Sequence, residues 1–128
     1  MNKNYKKITS FETACEAEGL DAVALVMKWK KNGELLRDIA GKKLEIFIKA
    51  INGKWKADIT NASQKKIYGF VAFKQDKTKP AGFGFSNTYT YWANTYTLAG
   101  SRLFTETTEQ MEHAFKYGEQ MFVEYHCW

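Results

Sequence analysis

The side chains that could ligate a metal or act as a nucleophile are few and scattered. His126 and Cys127 are adjacent near the C-terminus, whereas His113 and Cys15 lie elsewhere in the sequence. A structural zinc site takes four ligands in closely spaced pairs, a spacing that this set lacks. A nucleophile needs a base and an orienting carboxylate; Cys15 and His113 could meet in three dimensions, but nothing in the sequence indicates that they do. The sequence therefore indicates no metal ion and no catalytic residue.

Two other patterns have the form of chemical motifs without their context. Gly82 and Gly84 flank Phe83 like the start of a phosphate-binding loop, but the third glycine and the Lys-Ser/Thr ending are missing. Glycines that ease a twisted or bulged strand are the favoured interpretation. Glu106, Glu109 and Glu112 have the spacing of a helix cap and a solvent face. We therefore expect no cofactor and interpret the protein as non-enzymatic.

Lysine alternates with tryptophan and tyrosine in three places, which supplies charge for phosphate and rings for base stacking. The predicted nucleic-acid contacts are Lys28, Lys54, Lys56, Lys65 and Lys66. A basic surface with anchoring tryptophans also suits a protein or nucleoprotein partner. The partner contacts predicted from the same stretches are Trp29, Lys30, Lys31 and Trp55. Because Arg37 and Arg102 are the only arginines, base-specific readout is disfavoured.

Residues 80–101 carry no charged side chain, although 26% of the chain is charged. Ser, Thr and Asn alternate there with aromatic residues, which predicts half-buried β-structure rather than a membrane span. Tyr89, Tyr91, Trp92 and Tyr96 are predicted partner contacts, with a role in the core as the alternative. Strand alternation puts Tyr89 and Tyr91 on one face and Trp92 and Tyr96 on the other. We expect one pair to be buried and the other at least partly exposed.

The totals favour one domain, residues 1–128, with a core large enough to fold without disulfides or metal. Residues 1–80 hold 17 Lys and Arg against 9 Asp and Glu, a net charge of +8, whereas residues 81–128 have a net charge of −3. Because residues 1–11 are charged and polar, we expect no signal peptide there, and we expect no transmembrane helix. We therefore expect a cytoplasmic protein with two free thiols and no membrane partner.

Local signals predict three helices in the first half of the chain. Thr9 and Glu12 have the form of a capping box, Gly19 is a natural stop, and Asp21 can cap a second short helix over residues 22–27. From Glu34 the apolar residues recur at spacings of three and four, which predicts the strongest helix of the chain. Its predicted buried stripe is Leu35, Leu36, Ile39, Ala40, Leu44, Phe47, Ile48 and Ile51.

Strand and helix patterns alternate in the second half. Residues 67–73 predict a strand, and a polar turn should join them to a strand around Phe83 and Phe85. Further strands are predicted in residues 88–98 and 101–105. Thr107 and Gln110 then form a second capping box before a closing helix. The predicted fold is α+β: N-terminal helices, a three- to four-stranded antiparallel sheet and a C-terminal helix packed on it.

Four stretches of the chain, within residues 10–21, 50–68, 82–85 and 100–103, are similar to a group of small uncharacterised proteins of phages and mobile elements in Bacteroidetes-type bacteria. The first strand departs from that pattern, with Tyr68-Gly-Phe-Val71 where the family has Pro-Trp-Phe. The resemblance implies a protein that acts in the cytoplasm of a bacterial host by binding a macromolecular complex of that host. Inhibitors of CRISPR effectors are one prominent class of such proteins. We therefore expect a protein that binds and inhibits a host defence nucleoprotein. The alternative is direct binding of single-stranded DNA or RNA.

Overall fold

The computed structural model describes residues 3–93 and 103–127. These residues form helices and a two-stranded antiparallel sheet, which confirms the α+β class. The elements in chain order are a 3₁₀ helix Lys3–Lys7, α1 Phe11–Ala17, α2 Ala22–Lys31, α3 Leu36–Asn52, β1 Lys66–Gln75, β2 Phe83–Ala93 and α4 Thr108–Cys127. None of these helices has the length and apolar character needed to cross a membrane.

The capping box of α1 lies one residue later than predicted. Ser10, not Thr9, is the N-cap: its side chain accepts from the Thr13 amide at 3.0 Å, and the Thr13 hydroxyl accepts from the Ser10 amide at 2.9 Å. Gly19 ends the turn after the helix with φ of 70°, and Leu20 N–H donates to the Cys15 carbonyl at 2.8 Å. This left-handed glycine closure confirms the predicted stop.

The second helix is longer than the sequence predicted. Asp21 caps it by accepting from the Ala24 amide at 3.1 Å, as expected. The helix then continues through Lys28 to Lys31 instead of ending at Met27. Lysines in the last turn favour this extension because they complement the negative end of the helix dipole.

The core is built between α3 and α4. Six members of the predicted α3 stripe are buried: Ile39, Ala40, Leu44, Phe47, Ile48 and Ile51. The expectation was wrong for Leu35 and Leu36, which are 59% and 41% exposed. These two residues precede or begin the helix, where no neighbouring element covers them within the described chain.

Helix α4 begins and packs as predicted. Thr107 N–H donates to Gln110 Oε1 at 3.0 Å, and Gln110 N–H donates to Thr107 Oγ1 at 3.2 Å, a reciprocal cap. The buried Gln110 amide also donates to the Ile51 carbonyl at 3.1 Å. On the same side, the buried Asn52 amide donates to the Phe104 carbonyl at 2.8 Å. These bonds join the end of α3 to the start of α4.

Strands β1 and β2 pair antiparallel over their whole length. Ile67 lies opposite Trp92, and a register shift between Ala72 and Phe73 leaves Ser86 as the extra residue of a β-bulge in β2. A bulge of this kind bends and twists the ribbon locally. The polar turn predicted between the two strands is confirmed.

The predicted count of three to four strands is not confirmed. The strands predicted around residues 83–85 and 88–98 form a single strand as far as Ala93, and residues 94–102 lie outside the described chain. The predicted strand 101–105 contributes one bridge, in which Thr105 and Ile67 exchange two backbone hydrogen bonds of 3.0 Å. Within the described residues the sheet is a two-stranded ribbon.

Candidate aromatic binding surface

The ribbon has two chemically different faces because side chains alternate along each strand. Tyr68 lies opposite Tyr91, and Phe70 lies opposite Tyr89, so these residues share one face. The other face lies on α4. We call the first the outer aromatic face: Tyr68, Phe70, Tyr89 and Tyr91.

The rings of Tyr68, Phe70 and Tyr91 contact one another, and the outer aromatic face remains open to solvent. The centroid of Tyr68 lies 5.5 Å from Phe70 and 5.9 Å from Tyr91, and Phe70 lies 5.7 Å from Tyr91. Phe70, Tyr89 and Tyr91 are 44%, 45% and 50% exposed. Tyr68 is half-buried because its ring also packs edge-on against the buried Phe104, at 6.2 Å. The result is a cluster of three contacting rings, with Tyr89 beside it opposite Phe70 and with Tyr68 fixed to the core.

The opposite face holds the ribbon on α4. The Phe85 ring lies 6.0 Å from Phe115 and 6.2 Å from Phe122. Gly69 leaves the space that the Phe115 ring fills. These contacts make the ribbon part of the same hydrophobic core, so the outer aromatic face is presented on a packed support.

Glu119 of α4 adds a polar link next to the bulge. Its carboxylate accepts from the Phe85 backbone N–H at 2.9 Å and from Lys79 Nζ at 3.2 Å. Between the strands, hydrogen bonds from the Thr78 hydroxyl and amide lower the pKa of the Asp76 carboxyl below its usual value. The turn and the bulge are thus fixed by hydrogen bonds to carboxylates.

Trp92 follows the predicted alternation but not the predicted burial. It lies opposite Ile67, on the other face from Tyr91, yet 56% of its surface is exposed. Lys65 Nζ lies 5.3 Å from the centre of its ring, within range of a cation–π contact. Tyr96, the fourth predicted aromatic contact, lies outside the described residues. No pair of this set is therefore seen buried in the described chain.

Trp29 is not a surface residue, contrary to the prediction. It is only 8% exposed, its ring lies 6.3 Å from Phe11, and Lys42 Nζ lies 5.5 Å from its centre. Helix α2 turns this side chain into the core while the lysines next to it face solvent. The exposed lysines of this helix are Lys28, Lys30 and Lys31.

Lys66 is also misassigned as a phosphate contact. It is 0% exposed, and its Nζ donates to the carbonyls of Asn61 at 2.9 Å and Gln64 at 2.8 Å. Its ammonium closes the loop before β1 instead of facing solvent. The other predicted lysines of this region, Lys54, Lys56 and Lys65, are exposed. The predicted Trp55 is half-buried. Among the lysines predicted to bind nucleic acid and the aromatic residues predicted to bind a partner, Lys65 and Trp92 are in contact in the structure.

The groups considered for catalysis have other roles. Burial, followed by the charges of Glu12 and Asp21, raises the pKa of the Cys15 thiol, which keeps it protonated and a weak nucleophile. His113 Nε2–H donates to the Ile8 carbonyl at 2.7 Å. Among residues 3–93 and 103–127, no group of three or more His, Cys, Asp and Glu side chains could hold a metal ion.

Two of the open clefts that border α4 were not predicted from the sequence. One, of about 350 Å³, is lined by Tyr5, Lys6, Glu109, Glu112, His113, Lys116 and Tyr117. The other, of about 250 Å³, lies between α4 and β2 and is lined by Phe85, Thr88, Glu112, Phe115, Lys116 and Glu119. Both join residues that are distant in sequence, so no local motif marks them.

Comparison with protein-family models, with curated proteins and with solved structures finds no match to this chain. The outer aromatic face is therefore interpreted from its own geometry and chemistry.

Proposed function

We propose that this chain is a non-enzymatic protein of a phage or mobile element that binds a host defence nucleoprotein, such as a CRISPR effector, and inhibits it. The observation that supports the proposal is the outer aromatic face, where Phe70, Tyr89 and Tyr91 are each 44–50% exposed. Tyrosine and phenylalanine are enriched at protein interfaces, where a few central aromatic residues contribute most of the binding energy.

The support of this face favours tight binding. Phe85 and Gly69 fix the ribbon on α4, so its aromatic rings lose little conformational freedom when a partner docks. Tyrosine in addition combines a large apolar surface with a hydroxyl that can form hydrogen bonds to a polar partner.

Charge favours a nucleoprotein over an acidic protein surface alone. Neither β1 nor β2 contains an acidic residue, while Lys65 directly precedes β1 and Lys74 lies near its end, and both lysines are exposed. A surface without carboxylates can approach phosphate groups without like-charge repulsion. The partner expected here exposes both protein and RNA.

The test is co-purification of the tagged chain with guide-loaded host effectors, together with a phage-defence assay. The double variant Tyr89→Ala, Tyr91→Ala should lose at least about tenfold in effector binding, because central aromatic anchors contribute roughly 2 kcal/mol or more. Val23→Ala on α2 is the matched control, since Val23 is an apolar side chain that is 68% exposed. If no effector is retained and defence is unaffected, the proposal is wrong.

A second candidate function is direct binding of single-stranded nucleic acid, favoured by the contact of Lys65 with the exposed ring of Trp92. A cation beside an exposed indole offers phosphate and base contacts within one site. Labelled single- and double-stranded oligonucleotides would be titrated at low and moderate salt. We expect a steep loss of affinity with salt because phosphate contacts release counterions. Absence of binding at low salt would remove this candidate.

A further inference from the structure

We propose that the free edge of β2 receives an extended polypeptide segment of the partner, which adds to the ribbon as a third strand. This inference rests on the proposed binding function and specifies how the partner is held. The occupant is a polypeptide because the edge offers a row of main-chain donors and acceptors, which another main chain can satisfy.

The direction of the backbone groups follows from one observed bridge. In antiparallel pairs, a residue directs both its N–H and its C=O either toward a neighbouring strand or away from it, in alternation. Ile67 uses both groups on Thr105, so it directs neither to β2. Trp92 lies opposite Ile67 and therefore directs its N–H and C=O away from β1. Thr90, two residues earlier and opposite Gly69, does the same. No third strand lies along that edge in the described chain.

Beyond Phe85, whose N–H donates to Glu119, the composition of β2 leaves this edge unprotected. Natural proteins block edge strands with lysine, proline or a covering element. Residues 83–93 contain no charged residue and no proline, and the bulge at Ser86 distorts the strand near its start, away from Thr90 and Trp92. The outer edge of β1 is better protected, because Thr105 pairs with Ile67 there and Lys74 lies near the end of the strand.

A groove beside the edge offers a place for the side chains of the added strand. The cleft of about 250 Å³ between β2 and α4 has Phe85 and Phe115 among its lining residues, together with Thr88 of β2. Alternate side chains of an added strand would point into this cleft. The aromatic lining favours an apolar side chain there.

The charged residues of the cleft are Glu112, Lys116 and Glu119. Glu119 is occupied by Lys79 and the Phe85 amide, which leaves Glu112 and Lys116 to contact the partner. With one charge of each sign, the rim has no net charge that would attract a polyanion. The balanced charges of the cleft and the uncharged edge of β2 favour an uncharged extended segment. Its residue that points into the cleft should be apolar.

The experiment selects phage-displayed random peptides of about eight residues on the immobilised full chain and then measures amide hydrogen exchange of the chain with the selected peptide. We expect enriched peptides with an apolar residue at one fixed position. Exchange of the Thr90 and Trp92 amides should slow by about tenfold or more when the peptide binds. This measurement uses the unaltered protein and depends on no variant.

Two substitutions at one position separate the backbone from the side chain. Thr90→Pro removes the outward N–H and should weaken peptide binding at least about tenfold. Thr90→Ala keeps the N–H and should change binding less than about threefold. Failure to enrich any peptide, equal binding by both variants, or unchanged exchange at Thr90 and Trp92 would each overturn the inference.

These outcomes are independent of the proposed function. Loss of effector binding in the Tyr89 and Tyr91 double variant, with no peptide bound at the β2 edge, would keep the function and reject strand addition. Self-association of the chain that protects the same two amides without any peptide would show that a second copy occupies the edge, and would also overturn the inference.

Discussion

Gly69 of β1 and Phe115 of α4 lie so close that the ring takes the place of a side chain. A β-carbon at position 69 would come within 2.2 Å of Phe115 Cζ and 3.0 Å of the Tyr89 carbonyl oxygen. The missing side chain lets the ribbon rest directly on the helix. The position of the outer aromatic face relative to the core therefore depends on one glycine.

Gly69→Ala should destabilise the protein by roughly 1–3 kcal/mol, because the Phe115 ring must move out of a packed core. Gly84→Ala is the matched control: its β-carbon would meet Glu119 Oε1 at 3.4 Å, an ordinary contact. That control should stay within about 0.5 kcal/mol of the parent. Urea unfolding of the three proteins is the measurement, and equal stability of both variants would contradict this account of the ribbon.

The sequence predicted best the features that depend on a few neighbouring residues. The caps at Asp21 and at Thr107 with Gln110 were found because each involves residues three apart. The shift of the first cap has the same local origin. The capping-box pattern favours Thr9 because a Glu follows three residues later, but in the structure the overlapping pair Ser10 and Thr13 takes this role.

The errors arose where tertiary packing decides burial. Trp29 and Lys66 both stand among lysines, a context typical of a surface, yet α2 turns Trp29 toward Phe11 and the loop before β1 encloses Lys66. Likewise, alternation separated Tyr91 from Trp92 but could not show which face α4 would cover. The aromatic cluster with Tyr68 and Phe70 needed the strand register, which the sequence does not encode locally.

Removal of the charge should lower the stability of the protein more at Lys66 than at its neighbour Lys65. Lys66→Met leaves the carbonyls of Asn61 and Gln64 without their donor and should cost roughly 1–3 kcal/mol. Lys65→Met loses only an exposed contact with Trp92 and should cost about 0.5–1 kcal/mol.

In nucleic-acid titrations the order should reverse. If the chain binds oligonucleotides, Lys65→Met should lower the salt slope by about one, since one phosphate contact is lost, whereas Lys66→Met should leave it unchanged. Thermal unfolding and titrations at several salt concentrations measure both effects. A larger loss of stability from Lys65→Met than from Lys66→Met would show that the two side chains have been assigned the wrong roles.

His126 should make stability depend on pH in mildly acidic solution. Its ring lies 5.8 Å from Phe73 and stacks on Phe122 at 6.5 Å. Although the residue as a whole is exposed, these contacts desolvate the ring and lower its pKa below the ordinary value of 6.5. Because the unfolded chain binds the proton more tightly, the neutral ring's contribution is present above pH 6.5 and is lost as the pH falls below it.

The measurement is the melting temperature between about pH 7.5 and about pH 5, a range in which ordinary carboxyl groups remain mostly ionised. The parent should lose more stability over this range than His126→Gln, which has no titrating ring. The pKa values of Asp58 and Asp76 are lowered from 3.8 by hydrogen bonds from Thr60 and Thr78, so their effects belong to lower pH. Identical pH profiles for parent and variant would contradict the prediction.

Tyr91→Ala and Trp92→Ala should both leave the fold intact, because the two side chains are 50% and 56% exposed. Tyr91 would lose ring contacts with Tyr68 and Phe70, at a cost of about 1 kcal/mol, and the melting temperature should fall by no more than about 5 °C. Phe47→Ala is the contrasting control: Phe47 is 0% exposed, and its truncation should cost roughly 3–5 kcal/mol. Differential scanning calorimetry of the three variants tests this order. If Tyr91→Ala and Trp92→Ala were as destabilising as Phe47→Ala, both residues would belong to the core, and the outer aromatic face would lose its support as a binding surface.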